Sequence, residues 1–109
     1  MRNIHQDFRD LFVEIPETSN HASHEKMSNI LIIYSKLLSV MIHQHNLSDY
    51  FSNLHTMCYD IKAISKSHVH PKTQQDVFIK TRTMLIQDLY KLIILTVSEN
   101  DLSAFRQAQ

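Results

Sequence analysis

Apolar side chains recur at intervals of three and four along four stretches of the chain, the period that places residues on one face of an α-helix. In the first, about residues 3 to 15, Ile4, Phe8, Leu11, Phe12 and Ile15 form a short amphipathic stripe. It stops at Pro16, because a proline drives the preceding residue out of the helical region. A loop, PETSN, follows. From about His21 to Asn46 the residues Met27, Ile30, Leu31, Tyr34, Leu37, Leu38 and Met41 keep the same period, with Ser19 or Ser23 as candidate N-caps. This is the longest expected helix. A third stretch opens at Ser48 and Asp49 and carries Tyr50, Phe51, Leu54, Met57, Cys58, Ile61 and Ile64 before SKSHVHP closes it. A fourth, capped at Thr73 with Asp76 three positions later, carries Phe78, Leu85, Leu89, Leu92 and Ile93. It is expected to end near Ser98 or Asn100, leaving a short terminal segment, DLSAFRQAQ.

ILIIY at residues 30 to 34 and LIIL at 92 to 95 have the β-branched character of buried strands. Both lie inside long periodic stretches without the turn residues that short strands need at their ends, so the helical period decides. The expected fold is all-α: an antiparallel helical bundle of three long helices plus a short N-terminal helix and a short C-terminal segment.

The 109 residues are enough for one domain, taken as residues 1–109. Average usage of about 7% would give seven or eight glycines; there are none. That removes phosphate-binding loops, dinucleotide fingerprints, nucleophile elbows and tight hairpins from consideration. Eleven Lys+Arg balance eleven Asp+Glu, which argues against a nucleic-acid binder or a polybasic membrane module. The balance is uneven along the chain: residues 1–26 hold three basic and five acidic side chains. An acidic leading segment suits docking on a basic partner. The lone cysteine excludes an internal disulfide framework, and no uninterrupted apolar run reaches the length of a membrane span, so the expectation is a soluble protein of the reducing cytoplasm.

The apolar faces are wider than a solitary bundle requires. The second helix adds Ile32, Ile33, Val40 and Ile42 beside its stripe, and the fourth adds Ile79, Ile86, Tyr90, Ile94 and Val97. An amphipathic helix needs an apolar arc of just over about 100°, so the surplus calls for a cover. The candidate partner-binding residues are Phe8, Phe12, Ile33, Tyr50, Tyr90 and Ile94, aromatic or large aliphatic side chains of the kind that anchor interfaces.

Eight histidines are the main compositional anomaly. In an antiparallel arrangement His21 and His24 share a pole with His68 and His70, which raises the alternative of a metal- or pH-responsive site. The plainer account is that histidines near helix ends reach free carbonyls. His55 and Cys58 are three apart on one helix, but Cys58 falls in the apolar stripe and is expected buried and inert. No set of nucleophile, base and oxyanion donors assembles, so no enzyme activity and no cofactor is expected. The functional expectation is a small cytosolic protein-binding module that occupies a partner's surface, as an immunity or inhibitor-like protein or as a chaperone. Its partner is another protein or, in a homodimer, a second copy.

Overall fold

The apolar periodicity folds as four helices: α1 (Ile4–Glu14), α2 (His21–Met41), α3 (Ser48–Ile64) and α4 (Pro71–Leu95). The computed structural model describes residues 3–97, and among these there is no strand. The expected terminal segment lies outside the described residues. Each helix packs on its neighbours in a closed ring, α1 on α2, α2 on α3, α3 on α4 and α4 on α1, so that successive helices run antiparallel around a shared interior.

The stripes of the sequence are the core. All seven periodic residues of α2 are buried, together with Leu54, Met57, Ile61 and Ile64 of α3 and Phe78, Leu85, Leu89 and Leu92 of α4. Phe8 and Leu11 close the ring from α1, and the Phe8 ring meets Tyr34 edge to face at 6.4 Å between centroids. Cys58 departs from expectation, because it is exposed. At about 100° per residue it falls on the margin of the stripe centred on Leu54 and Ile61, past the edge that α2 and α4 cover.

The helix ends are set by side chains other than those expected. Asn20, not Ser19 or Ser23, caps α2, its side chain accepting the Ser23 N–H at 2.8 Å. α4 begins two residues before Thr73. Pro71 occupies the first turn, where a missing N–H costs nothing, and His70 Nδ1 accepts the Lys72 N–H at 3.1 Å. Ser48 is already helical, and Asn46 accepts its N–H and hydroxyl from just before α3. α2 ends at Met41 rather than Asn46, which leaves α4, with 25 residues, the longest helix.

No described residue has positive φ. Without glycine, α3 and α4 end with hydroxyls on their last carbonyls. Ser65 Oγ donates to Ile61 O at 2.7 Å and Thr96 Oγ1 to Ile93 O at 3.1 Å. Ile61 O also accepts the Ser65 N–H at 3.2 Å, so the Ser65 hydroxyl adds a second bond there, while Thr96 Oγ1 brings Ile93 O a donor that a left-handed glycine cap would otherwise supply.

Candidate functional site

The surplus apolar residues stay outside. Ile32, Ile33, Val40 and Ile42 are exposed on and just after α2, as are Ile79, Tyr90 and Ile94 on α4, while Ile86 and Val97 are half-buried. The short helix α1 organises part of this surface. It is 11 residues long and lies between α2 and α4, leaving a groove on each flank.

The groove between α1 and α4 has a volume of about 350 Å³ and is lined by Arg9, Phe12, Val13, Tyr90 and Ile93. Val13 is 83% exposed and Tyr90 59%. Antiparallel packing pins the two helices in register: His5 Nδ1 at the start of α1 donates to Ile93 O at 2.9 Å, and Arg82 Nε donates to Pro16 O at 2.9 Å beyond its end. Phe12 and Tyr90, distant in sequence, therefore line one groove. Ile94 is exposed one turn beyond Tyr90 on the same helix.

The groove between α1 and α2, about 440 Å³, is lined by Leu11, Ile30 and Ile33 with Asp7, Asp10, Glu14, Lys26 and Asn29 around them. Gln6 Nε2 donates to Asp10 at 2.8 Å, and Lys26 Nζ approaches Glu14 at 3.8 Å with both side chains more than half exposed. An ion pair in that setting is worth at most about 1 kcal/mol.

Two expected anchors do not belong to this surface. Phe8 is 0% exposed, because its position on α1 points to Tyr34 and the bundle interior; it is a core residue, not a contact residue. Tyr50 is half-buried against the core on α3 and lines neither groove. Burial, then the charges of Asp88 and Asp49, pushes its phenol up. Val13 and Arg9 complete the α1/α4 groove without having been singled out, since neither lies on the apolar stripe of α1.

The four histidines expected at one pole differ in burial and in partner. His24 is 4% exposed, its Nε2 sits 2.7 Å from Ser19 Oγ, and its ring lies 5.6 Å from that of Phe78. Burial, with the neighbouring charge of His21, holds its imidazole below the usual value. His70 is engaged as the cap of α4, whereas His21 and His68 are exposed. Among the described residues no three His, Cys, Asp or Glu side chains form a group that could hold a metal ion. Partial burial of the Cys58 sulfur pushes its thiol up, away from the thiolate that nucleophilic chemistry uses.

One polar constellation is inside the bundle. Asp88 of α4, 4% exposed, accepts from Tyr34 Oη of α2 at 3.2 Å and from Asn53 Nδ2 of α3 at 3.0 and 3.1 Å. Burial raises the carboxyl above its ordinary range, and the two hydrogen bonds and the Lys91 charge partly offset that rise. The Tyr34 phenol is pushed up by burial and by Asp88. Three helices meet at one carboxylate, which ties their relative register, since any axial slip leaves a buried acceptor unpaired.

No family model matches the chain, and no curated protein or solved structure matches it. Among the described residues, no helix is long and apolar enough to cross a membrane.

Proposed function

We propose that this chain is a protein-binding module that acts by occupying another protein's surface, in the manner of an inhibitor or immunity protein or of a chaperone. The observation that carries the reading is the groove between α1 and α4, where Phe12, Val13, Tyr90 and Ile93 leave apolar surface uncovered beside the cation of Arg9. Burying such surface is favourable by about 25 cal/mol per Å², and an amphipathic tyrosine at the edge of an apolar cleft is the side chain best suited to anchor a partner. A reducing cytosol fits the reading, because an exposed lone thiol such as Cys58 persists there without cross-linking copies.

The test compares the full chain with Phe12→Asp/Tyr90→Asp in affinity capture from native cytosol, alongside sizing of the purified protein. The expected result is a stoichiometric heterologous partner retained by the parent chain and weakened at least about tenfold in the variant, with helical circular dichroism unchanged. A partner retained equally by the variant would place the contact elsewhere. A stable dimer that recruits nothing would assign the face to a second copy.

A further inference from the structure

We infer that Ser19 and His24 form a nucleophile–base pair at the cleft between the α1–α2 connection and the start of α4, where Ser19 takes the acyl group of a neutral carboxylic ester. Sequence spacing hides the pair, because residues five apart do not share a helix face. The turn into α2 at Asn20 brings them together. His24 Nε2 sits 2.7 Å from Ser19 Oγ, within the reach that a general base needs. Both partners are held. The connection carrying Ser19 is tied at one end by Arg82, which donates to Pro16 O at 2.9 Å, and at the other by Asn20, which caps α2 through the Ser23 N–H at 2.8 Å. The imidazole is buried against Phe78, 5.6 Å away between ring centroids, with Nε2 towards the hydroxyl. Ser19 itself is half-buried and lines the cleft, so a reagent reaches the oxygen from the side opposite the ring's packing.

The cleft, about 320 Å³, defines what can reach that oxygen. Pro71 and Ile79 offer apolar surface for a short acyl chain, and the Glu17 carboxylate repels an anionic reagent, which leaves a neutral ester as the matching class. Gln74 is committed, donating to Ile64 O at 2.9 Å, whereas Gln75 is exposed and lines the cleft with a primary amide, a donor of the kind that receives a developing oxyanion. Burial, with the charge of His21 on the same helix, holds the His24 imidazole below its usual value, so at neutral pH the ring is an unprotonated base. Glu17 is the ionisable side chain that the cleft adds; the α4 residues lining it, Pro71, Gln74, Gln75 and Ile79, carry no charge. With the ring proton on Nδ1, Nε2 takes the Ser19 proton as Oγ bonds to the acyl carbon. The carbon–oxygen bond to the leaving group then breaks with its electron pair, and the imidazolium returns the proton to that oxygen. An acyl-serine and a free alcohol result.

The experiment treats the full chain with p-nitrophenyl acetate and maps the acetyl groups by peptide mass spectrometry, with the exposed Ser52 as the reference hydroxyl. Ser19 is expected to be acetylated at least about a hundredfold faster than Ser52, the lower end of what a positioned base contributes. His24→Gln should remove that advantage while helical circular dichroism stays unchanged, and Ser19→Ala should leave no fast-labelled hydroxyl. The parent chain tests the base without any substitution: the Ser19 rate should level off above about pH 6.5 and fall below it, towards the lowered imidazole value, rather than climb in proportion to hydroxide. The anionic ester 4-acetoxy-3-nitrobenzoate should label Ser19 at least about tenfold more slowly, and Glu17→Gln should narrow the gap. Equal labelling of Ser19 and Ser52, labelling that survives His24→Gln, acetyl groups on lysine or Cys58 alone, a rate proportional to hydroxide throughout, or equal reaction with the anionic ester would each overturn the inference. Neither Ser19 nor His24 lines the groove between α1 and α4, so the outcome is independent of partner capture through Phe12 and Tyr90.

Discussion

Two buried titratable side chains bend the stability profile in opposite directions. The His24 imidazole is held below its ordinary value, so the unfolded chain takes up protons first as pH falls. Its contribution is complete above about pH 6.5 and is lost as pH falls below that value towards the lowered one. Thermal unfolding between pH 8 and pH 5.5 should therefore show a falling melting temperature, and His24→Gln, which does not titrate and still offers Ser19 a partner, should flatten the slope. Asp88 acts the other way. Its raised carboxyl binds protons more readily in the folded chain, so its ionised form is a penalty at neutral pH that is relieved as pH falls through the raised value. Asp88→Asn keeps an acceptor for Tyr34 and removes the buried charge. Urea unfolding at pH 7 should show it neutral or stabilising by about 1 kcal/mol, whereas Tyr34→Phe should cost about 1 kcal/mol. Asp88 was absent from the expected stripe of α4, where a charged side chain suits a solvated face, yet it keeps the helical period of Phe78, Thr81, Leu85 and Leu92, and all five are buried. What periodicity does not contain is the partner: Asn53 reaches Asp88 only because α3 packs on α4.

At the level of the helices, the long stripes were legible because about five to seven turns of consistent period leave no other fold for them, while the ends were not. Thr18, Ser19, Asn20 and Ser23 all have capping chemistry within one loop and turn, and only the chain's path selects Asn20. Pro71 was the stronger start signal for α4 than Thr73, because proline is preorganised for the first helical turn. These assignments separate by substitution. Asn20→Ala should lower stability by about 1 kcal/mol, and Thr73→Ala should stay within about 0.5 kcal/mol of the parent, both read from urea midpoints. Cys58 was misplaced for a geometric reason: a stripe on a helix has margins, and whether a marginal residue is covered depends on how closely the neighbours approach. The cysteine is on the open side, with His55 also exposed.

For the molecule as a whole, seven of the nine surplus apolar residues named on α2 and α4 from the sequence are exposed, but their grouping could not be read there. Phe12 and Tyr90 share a groove, Ile33 lines the other, and Phe8 belongs to neither, because the ring order of helices determines which exposed side chains become neighbours. The distinction is measurable. Phe8→Ala should cost about 3–5 kcal/mol as a cavity in the core, and Phe12→Ala should cost well under half of that, as measured by chemical denaturation. The glycine-free backbone has a further bearing on how the chain can change. With every described residue at negative φ, none of the connections between α1, α2, α3 and α4 contains a position that a single residue type must fill. A saturation library should then find intolerance concentrated at inward-facing positions, Ile15 and Leu47 of the connections among them, and at the caps Asn20 and His70, with permissiveness across the rest of the three connections, leaving the outward face free to diversify towards new partners without endangering the scaffold.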